Sequence, residues 1–271
     1  MRIGLITDNP GHPLLAAATA LLAPEHRVEV VDPGAPEEAA PGGAARDEVV
    51  RGLADVYLLK AHTPRALDLA RELERRGAPV VNSAAATALC QDRTEMAGLA
   101  VRAGLPFAAT RTFDALGVWA AGASLRSPVV VKSRHNRRRD LVARADDTAG
   151  LRALADRWAD EPVVVQPFAP NSGWDHKLWA IGDRVFAALR RSELSPEGRG
   201  PTLPLPRPPA GWAELTLRVG EVFALDVYGV DIIATADGAP LIVDINAFPG
   251  IRDQPGAPEA LAELALRRGK G

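Results

Sequence analysis

A single cysteine, Cys90, stands in 271 residues, which excludes an internal disulfide and with it a small disulfide-stapled scaffold. Lysine is nearly as scarce: only Lys60, Lys132, Lys177 and Lys270 occur among the 32 basic residues, the rest being arginine. With 34 acidic residues the formal net charge is −2, so a protein that coats nucleic acid through bulk positive charge is excluded. No window approaches the roughly 20 continuous apolar residues of a membrane-spanning helix, and MRIGLITDNP lacks the charged-then-apolar stretch of a signal peptide. These absences predict a cytoplasmic chain without a nucleic-acid or membrane partner. Neither a GxGxxG after the first apolar run nor a GxxxxGK[ST] is present, which removes the dinucleotide fingerprint and the P-loop. What is present is apolar residue, 47% of the chain, enough to fill one large core or two modest ones.

Over the first 83 residues short apolar runs alternate with amphipathic stretches, the pattern of a parallel sheet covered by helices. RIGLIT (2–7), RVEVVD (27–32), VYLLKA (56–61) and APVVNS (78–83) read as strands. Leu14 to Leu22 and Arg65 to Arg76 read as helices, and 33–48 as a loop or weak helix. From about residue 84 the pattern turns to α+β. Helical sequence from Ala84 to Ala103 is interrupted at Gln91-Asp92, where Asp92 caps a second helix with Glu95 three residues on. PVVVKS (128–133), LVAR (141–144), PVVVQPF (162–168), WDHKLWAIG (174–182) and RVFAALRRS (184–192) are predicted strands. Helices are predicted from Asp146 to Trp158 and from Trp212 to Leu225. The proline-rich PTLPLPRPP (201–209) is expected to be a surface loop without regular structure.

The closing stretch 228–246 carries the most arithmetic. Asp237-Gly238 is a two-residue hairpin signal, and a turn centred there pairs residues whose numbers sum to 475, so Asp231 falls opposite Asp244. Asn246 shares the face of Asp244, and alternation sends Leu241, Val243 and Ile245 to the other face. Like charges directly opposite are destabilising, and a bound cation would remove the repulsion. Two carboxylates and an amide oxygen are hard ligands that suit Mg²⁺, although the same pattern also fits a solvated strand face in a slightly different register.

Lys132 and Lys177 sit inside apolar strands, where a lysine buries its stem and aims its ammonium at water, a carboxylate or a ligand anion. The loop after Lys132, Ser-Arg-His-Asn-Arg-Arg-Arg-Asp, concentrates four arginines. Guanidinium forks bind phosphate or carboxylate, so the loop is either an anion cover or a solvated hairpin tip. Arg190 and Arg191 point to opposite strand faces, and at most one of them joins such a site. Cys90 reads as a small buried hydrophobe with no catalytic task.

Taken in order, VVNSAAATALCQDRTEMAGLAVRAGLP, TRTF, PVVVK, VVVQPF, GWDHKLWAIGDRVFAALRR and GVDIIATADGAPLIVDINAFPG resemble the ATP-grasp superfamily from Asn82 to about Ile251. The resemblance implies an α/β and α+β chain with the ATP-grasp fold. Its parts would be an N-terminal Rossmann-like domain (1–83), linker helices with a central ATP-lid subdomain (84–168), and a C-terminal antiparallel-sheet domain with the Mg²⁺ site (169–271). ATP would lie between two antiparallel sheets. Carried onto this sequence, Asp231, Asp244 and Asn246 match the Mg²⁺ ligands. Lys132 resembles the lysine on ATP phosphate and adenine, and Gln166, Pro167 and Phe168 the hinge that reads the purine. Lys177 takes the place of the basic residue near the γ-phosphate and is grouped with Arg190 as catalytic. Arg93 stands where many relatives have lysine, and Arg137 and Arg138 are grouped with the nucleotide-binding residues. The loop 134–140 departs from the family in having no glycine.

The implied activity is that of RimK-type ligases: ATP- and Mg²⁺-dependent joining of a carboxylate to an amine through an acyl phosphate, on a small anionic or peptide substrate. Asn9, His12, Lys60 and His62 fall at the carboxyl ends of the N-terminal strands, where the family binds its acceptor, and Arg252 follows the Asn-Ala-Phe-Pro-Gly turn. Asn9, His12, His62 and Arg252 are the substrate candidates. Residues 244–250 and Lys177 to Asp183 are also similar to inositol polyphosphate kinases of the superfamily, which leaves a small-molecule kinase as the alternative and a module without chemistry as a third possibility.

Overall fold

The structure, a computed structural model, describes residues 1–34, 52–137, 139–195, 198 and 200–270. Arg138 and most of the stretch 33–48 lie outside the described residues. Strands β1 (Arg2–Ile6), β2 (Arg27–Val31), β3 (Val56–Leu59) and β4 (Val80–Val81) form a parallel sheet in the order β2-β1-β3-β4, with helices α1 (Pro13–Leu22) and α2 (Pro64–Arg75) in the connections. The central strands β1 and β3 are buried almost throughout, as a parallel sheet covered on both faces requires. Strand β4 is far shorter than the six residues expected. Asn82 leaves the ladder because its amide is used elsewhere: Nδ2 donates to the Val227 carbonyl at 2.7 Å, and Oδ1 accepts from the Asp226 and Val227 N–H groups.

Helices α3 (Ala84–Leu89) and α4 (Arg93–Arg102) follow, interrupted as expected at Gln91-Asp92. Asp92 Oδ1 accepts from the N–H groups of Thr94 and Glu95, satisfying two amides of the first turn. A second sheet, antiparallel in the order β5-β8-β6-β7, is built from β5 (Arg111–Phe113), β6 (Val129–Ser133), β7 (Val142–Ala145) and β8 (Val163–Pro167). Helices α5 (Leu116–Gly122) and α6 (Thr148–Ala155) pack on one face of it through Leu116, Ala120, Leu151 and Ala155. Strand β5 escapes the sequence pattern because three residues are too few to display a period, and helix α5 has no side-chain cap to mark its start.

The third sheet runs β11-β10-β9-β12-β13, antiparallel throughout, from β9 (Trp174–Ile181), β10 (Arg184–Arg191), β11 (Thr202–Pro204), β12 (Val227–Ala234) and β13 (Pro240–Ala247). The proline-rich segment is therefore not wholly irregular. Thr202 to Pro204 pair with Arg190 to Ala188, and they do so at the sheet edge, where a missing proline N–H breaks no ladder. Helix α7 (Trp212–Phe223) covers one face of the sheet with Trp212, Val219 and Phe223. The last helix, α8 (Ala257–Arg268), returns to the N-terminal sheet: Leu261, Leu264 and Ala265 share a core with Ile3, Leu5, Leu14 and Leu15. Among the described residues, no helix is long and apolar enough to cross a membrane.

One contact sets the seat of α7. A Cβ on Gly220 would stand 2.3 Å from the Tyr228 hydroxyl, which donates to the Thr216 carbonyl at 2.8 Å inside the core. Gly220→Ala is therefore expected to cost about 1–3 kcal/mol by overpacking, read as a lower urea or thermal midpoint. Gly122→Ala, where nothing lies within 4 Å, should leave the midpoint unchanged or raise it.

Candidate functional site

Strands β12 and β13 bring Asp231 opposite Asp244 and Gly229 opposite Asn246, the register expected at those positions. The route to it differs from expectation. Next to the turn, Ala234 pairs with Pro240 and Ile233 with Leu241, and the register then shifts between Asp231 and Ile232, leaving Val243 as the extra residue of a β-bulge. The turn loop is also a residue longer than two, since Thr235 pairs with Ala239 across Ala236, Asp237 and Gly238, the last at φ 81°. The bulge corrects the facing of the side chains. Leu241 and Val243 line the same cavity as Asp244, while Ile242 and Ile245 enter the core.

That cavity, about 410 Å³, lies between the second and third sheets, a size typical of small-molecule sites. Val130 and Lys132 of β6, Arg144 of β7 and Gln166-Pro167-Phe168 form one wall. Asp175 and Lys177 of β9, Arg190 of β10, Asp231 and Ile233 of β12, and the bulged segment of β13 form the other. Gln166 donates through Nε2 to Thr110 Oγ1 at 3.0 Å, which fixes its amide, and the Arg144 guanidinium stacks 3.9 Å from the centre of the Phe168 ring. Arg190 faces the cavity, whereas Arg191 lies over Trp174. Arg144 of β7 and the segment Ser192 to Ser195 also line it without a sequence signal, because no spacing rule marks residues that reach a site only through the fold.

Each carboxylate of the opposed pair has its own cation. Lys177 Nζ lies 2.6 Å from Asp231 Oδ2 and 3.5 Å from Asp175 Oδ2. Arg93 reaches Asp244 at 3.2 Å with one nitrogen and Asp140 at 2.7 Å with the other, which also donates to the Ser133 carbonyl. Lys132 Nζ donates to the Val243 carbonyl at 2.7 Å, an oxygen on the bulge residue that has no partner on β12. Lys132, Lys177 and Arg93 are all buried. Burial opposes the charge of Asp244, but Arg93 and Lys132 outweigh it and hold the carboxyl below its usual range. Burial pulls the Lys132 ammonium down, with Asp244 opposing. Two carboxylates and the Asn246 amide are a hard-oxygen set of the kind Mg²⁺ takes. Cys90 is buried beside this hairpin, and burial, reinforced by Asp244, pushes its thiol up to about 12, so it stays a neutral packing residue.

The arginine-rich loop, read as either an anion cover or a solvated hairpin tip, has two of its arginines paired with carboxylates. Arg134 forks onto Asp92 with nitrogen–oxygen distances of 2.7–3.1 Å, and Arg137 bonds Glu161 at 2.6 Å. Neither lines the cavity. The loop is pinned to the start of α4 through Asn136 N–H on the Gln91 carbonyl, and Asn136 Nδ2 donates to Asn246 Oδ1 at 2.8 Å. Arg138, named with the same group, lies outside the described residues.

At the carboxyl edge of the first sheet the four substrate candidates separate into two kinds. His12 is buried at the start of α1, close to Lys60 and Arg252, with no partner on either ring nitrogen. His62 Nε2 is likewise buried and unpartnered, and burial, helped by Lys60, lowers its pKa to about 4. Asn9 and Arg252 are exposed.

Residues 118–255 match the family model of the RimK-like ATP-grasp domain. The chain belongs to the RimK-like ATP-grasp family. Probable alpha-L-glutamate ligase 2 of Hahella chejuensis is 30% identical over 118 residues, 41% of this chain and 38% of that protein. Ribosomal protein bS6--L-glutamate ligase of Escherichia coli O7:K1 is 27% identical over 198 residues, 67% of this chain and 63% of that protein. The chain thus spans less than two thirds of the length of these relatives. Among solved structures, a RimK domain protein ATP-grasp from Sphaerobacter thermophilus superposes with a TM-score of 0.75 at 24% identity, covering 97% of this chain and 99% of that one. D-alanine--D-alanine ligase from Bacillus anthracis complexed with ATP gives 0.71 at 15% identity, covering 100% and 99%. The three-sheet arrangement is the ATP-grasp fold.

The Asp92–Arg134 fork anchors the glycine-free loop of this ATP-grasp chain. Burial raises the Asp92 carboxyl, but the Arg134 bond and the Thr94 N–H outweigh it, so its pKa lies below the usual carboxylate value. A depressed carboxyl adds stability that is complete above the unfolded value, about 3.9, and is lost as pH falls through the folded one. Asp92→Asn keeps the helix cap and removes the charge. Its cost, roughly 1–2 kcal/mol at pH 7, is expected to shrink below about pH 4 in denaturation curves compared across pH.

Proposed function

We propose that this RimK-like chain is an ATP-dependent ligase that joins a carboxylate to an amine through an acyl phosphate. The observation that carries the reading is the opposed carboxylate pair of the cavity wall, Asp231 and Asp244, which line it beside Lys132 and Lys177, with Arg93 bonded to Asp244, and Asn246 on the same hairpin outside the lining. Such a wall offers positioning and charge neutralisation rather than a protein nucleophile, which is what transfer from ATP to a bound carboxylate needs.

In this reading Asp231, Asp244 and Asn246 hold Mg²⁺, which when bound neutralises the facing carboxylates and polarises phosphate oxygens. Lys132 and Lys177 hold the phosphates, Gln166-Pro167-Phe168 the adenine, and Arg190 the transferring group. A substrate carboxylate oxygen attacks the γ-phosphorus, the bond to the β–γ bridging oxygen breaks and ADP leaves. The free amine of the second substrate then attacks the acyl carbon, phosphate departs and the amine gives up a proton. The names of the L-glutamate ligase relatives support an amino acid as one substrate and a peptide or small carboxylate as the other. Residues 1–83, 84–168 and 169–271 are the three units proposed to supply acceptor, lid and metal.

Incubation with ATP, Mg²⁺ and pools of amino acids and peptides is expected to release ADP and phosphate. With ¹⁸O in the reacting carboxylate, one label should appear in the phosphate and none in ADP. Phosphate transfer to a hydroxyl without free phosphate would overturn the ligase in favour of a kinase. Asp244→Ala is expected to fold and to lose activity by about 100-fold or more.

A further inference from the structure

Gln166 lines the cavity and is only 4% exposed, so its amide must find partners in the protein or in whatever fills the cavity. Its Nε2 donates to Thr110 Oγ1 at 3.0 Å, and the Thr110 hydroxyl donates in turn to the Ala108 carbonyl at 2.8 Å. A hydroxyl has one hydrogen to give. With that hydrogen spent on Ala108, Thr110 can only accept, and the Gln166 amide is held with its nitrogen toward it. Flipping the amide would set two acceptors face to face. Oε1 is left as the free end, and among the described residues it accepts no hydrogen bond.

Both ends of this relay are anchored. Strand β5 runs antiparallel to β8 with Arg111 opposite Val165, which brings Thr110, the residue before β5, level with Gln166. Ala108 is tied to β13: its N–H donates to the Ile242 carbonyl at 2.9 Å, and the Ile242 N–H to the Pro106 carbonyl at 2.7 Å. Ala108 and Gln166 line the cavity, whereas Thr110 stands behind them and does not. The rest of the hinge adds little donor capacity. Pro167 has no N–H, and that of Phe168 is taken by the Pro128 carbonyl at 3.0 Å.

We propose that Thr110 is a positioning residue that sets the nucleobase choice of this chain: by fixing the Gln166 amide it presents Oε1 as an acceptor to a purine carrying an exocyclic amine. Adenine is thereby favoured over a purine without that group. This role rests on the placement of the base at Gln166-Pro167-Phe168 proposed above and is independent of the reaction that follows. An unfixed glutamine amide turns either end to its ligand and discriminates weakly. A fixed one leaves its oxygen unpaired when the amine is missing, which costs affinity.

The test is calorimetric binding of ATP and of purine riboside triphosphate, which lacks only the 6-amino group, to the full chain with Mg²⁺ and without carboxylate or amine substrate. The wild type is expected to prefer ATP by about tenfold, and Gln166→Met to bring the two affinities within about twofold. Thr110→Val keeps the shape and removes the hydroxyl. It should cut the preference to about threefold or less while leaving the affinity for purine riboside triphosphate within about twofold, and Thr110→Ser should restore the preference. Thr110→Ala removes the same hydroxyl without the second methyl and is expected to repeat the Thr110→Val result, so the outcome does not hang on one variant folding. Equal weakening of both nucleotides by Thr110→Val, or a preference it leaves unchanged while Gln166→Met abolishes it, would overturn the positioning role. A preference that survives Gln166→Met would overturn the placement of the base as well. Because no turnover is read, failure of the ligase reading would appear separately, as absence of phosphate release with the nucleotide preference intact.

Discussion

Two aspartates face each other on adjacent strands, and the surrounding arrangement follows from the need to hold that pair. Asp231 and Asp244 sit directly opposite on β12 and β13, where like charges repel. The fold answers with a separate buried cation on each and a third, Lys132, on the carbonyl that the bulge frees between them and the turn. A buried pair of this kind is tolerable only with its charges matched, so the cations are fixtures of the site rather than decoration of its rim.

The β-bulge at Val243 is the local device on which this depends. Without the extra residue, strict alternation would send Val243 and Asp244 to opposite faces. With it, Asp244 lines the cavity together with Leu241 and Val243, while Ile242 and Ile245 stay in the core, and a backbone oxygen is left for Lys132. The same economy appears at Arg93. A guanidinium fork bridges Asp140 of the loop and Asp244 of the hairpin at once, a geometry a lysine ammonium on a single stem does not supply. This chain's preference for arginine thus has a structural use in binding the second sheet to the third. Two of the four lysines, Lys132 and Lys177, face the cavity with a compact charge.

Much of this was legible in the sequence. The long periodic strands, the Asp92 cap and the opposition of Asp231 to Asp244 follow from spacing, because each depends on neighbours in the chain or across one tight turn. The opposition came from a two-residue turn, yet the hairpin reaches it through a longer turn and a bulge whose offsets cancel at Asp231. The facing of Leu241 and Val243 was misread for the same reason. Strands β5 and β11, of three residues each, carry too little period to be seen. The fate of the arginine loop was unreadable because Asp92 and Glu161, its partners, lie 42 and 24 residues from Arg134 and Arg137. Long-range pairing of that kind is set by the fold and leaves no local trace.

What binds the opposed carboxylates decides the role of the site. Crystals of the chain with Mn²⁺ and AMP-PNP, measured at the manganese absorption edge, give the position of the metal directly from its anomalous signal. The expected result is a peak bonded to Asp231, Asp244 and Asn246, with Lys132 and Lys177 on the phosphates. A metal held elsewhere, with Arg93 and Lys177 still sealing the two aspartates while nucleotide is bound, would contradict it.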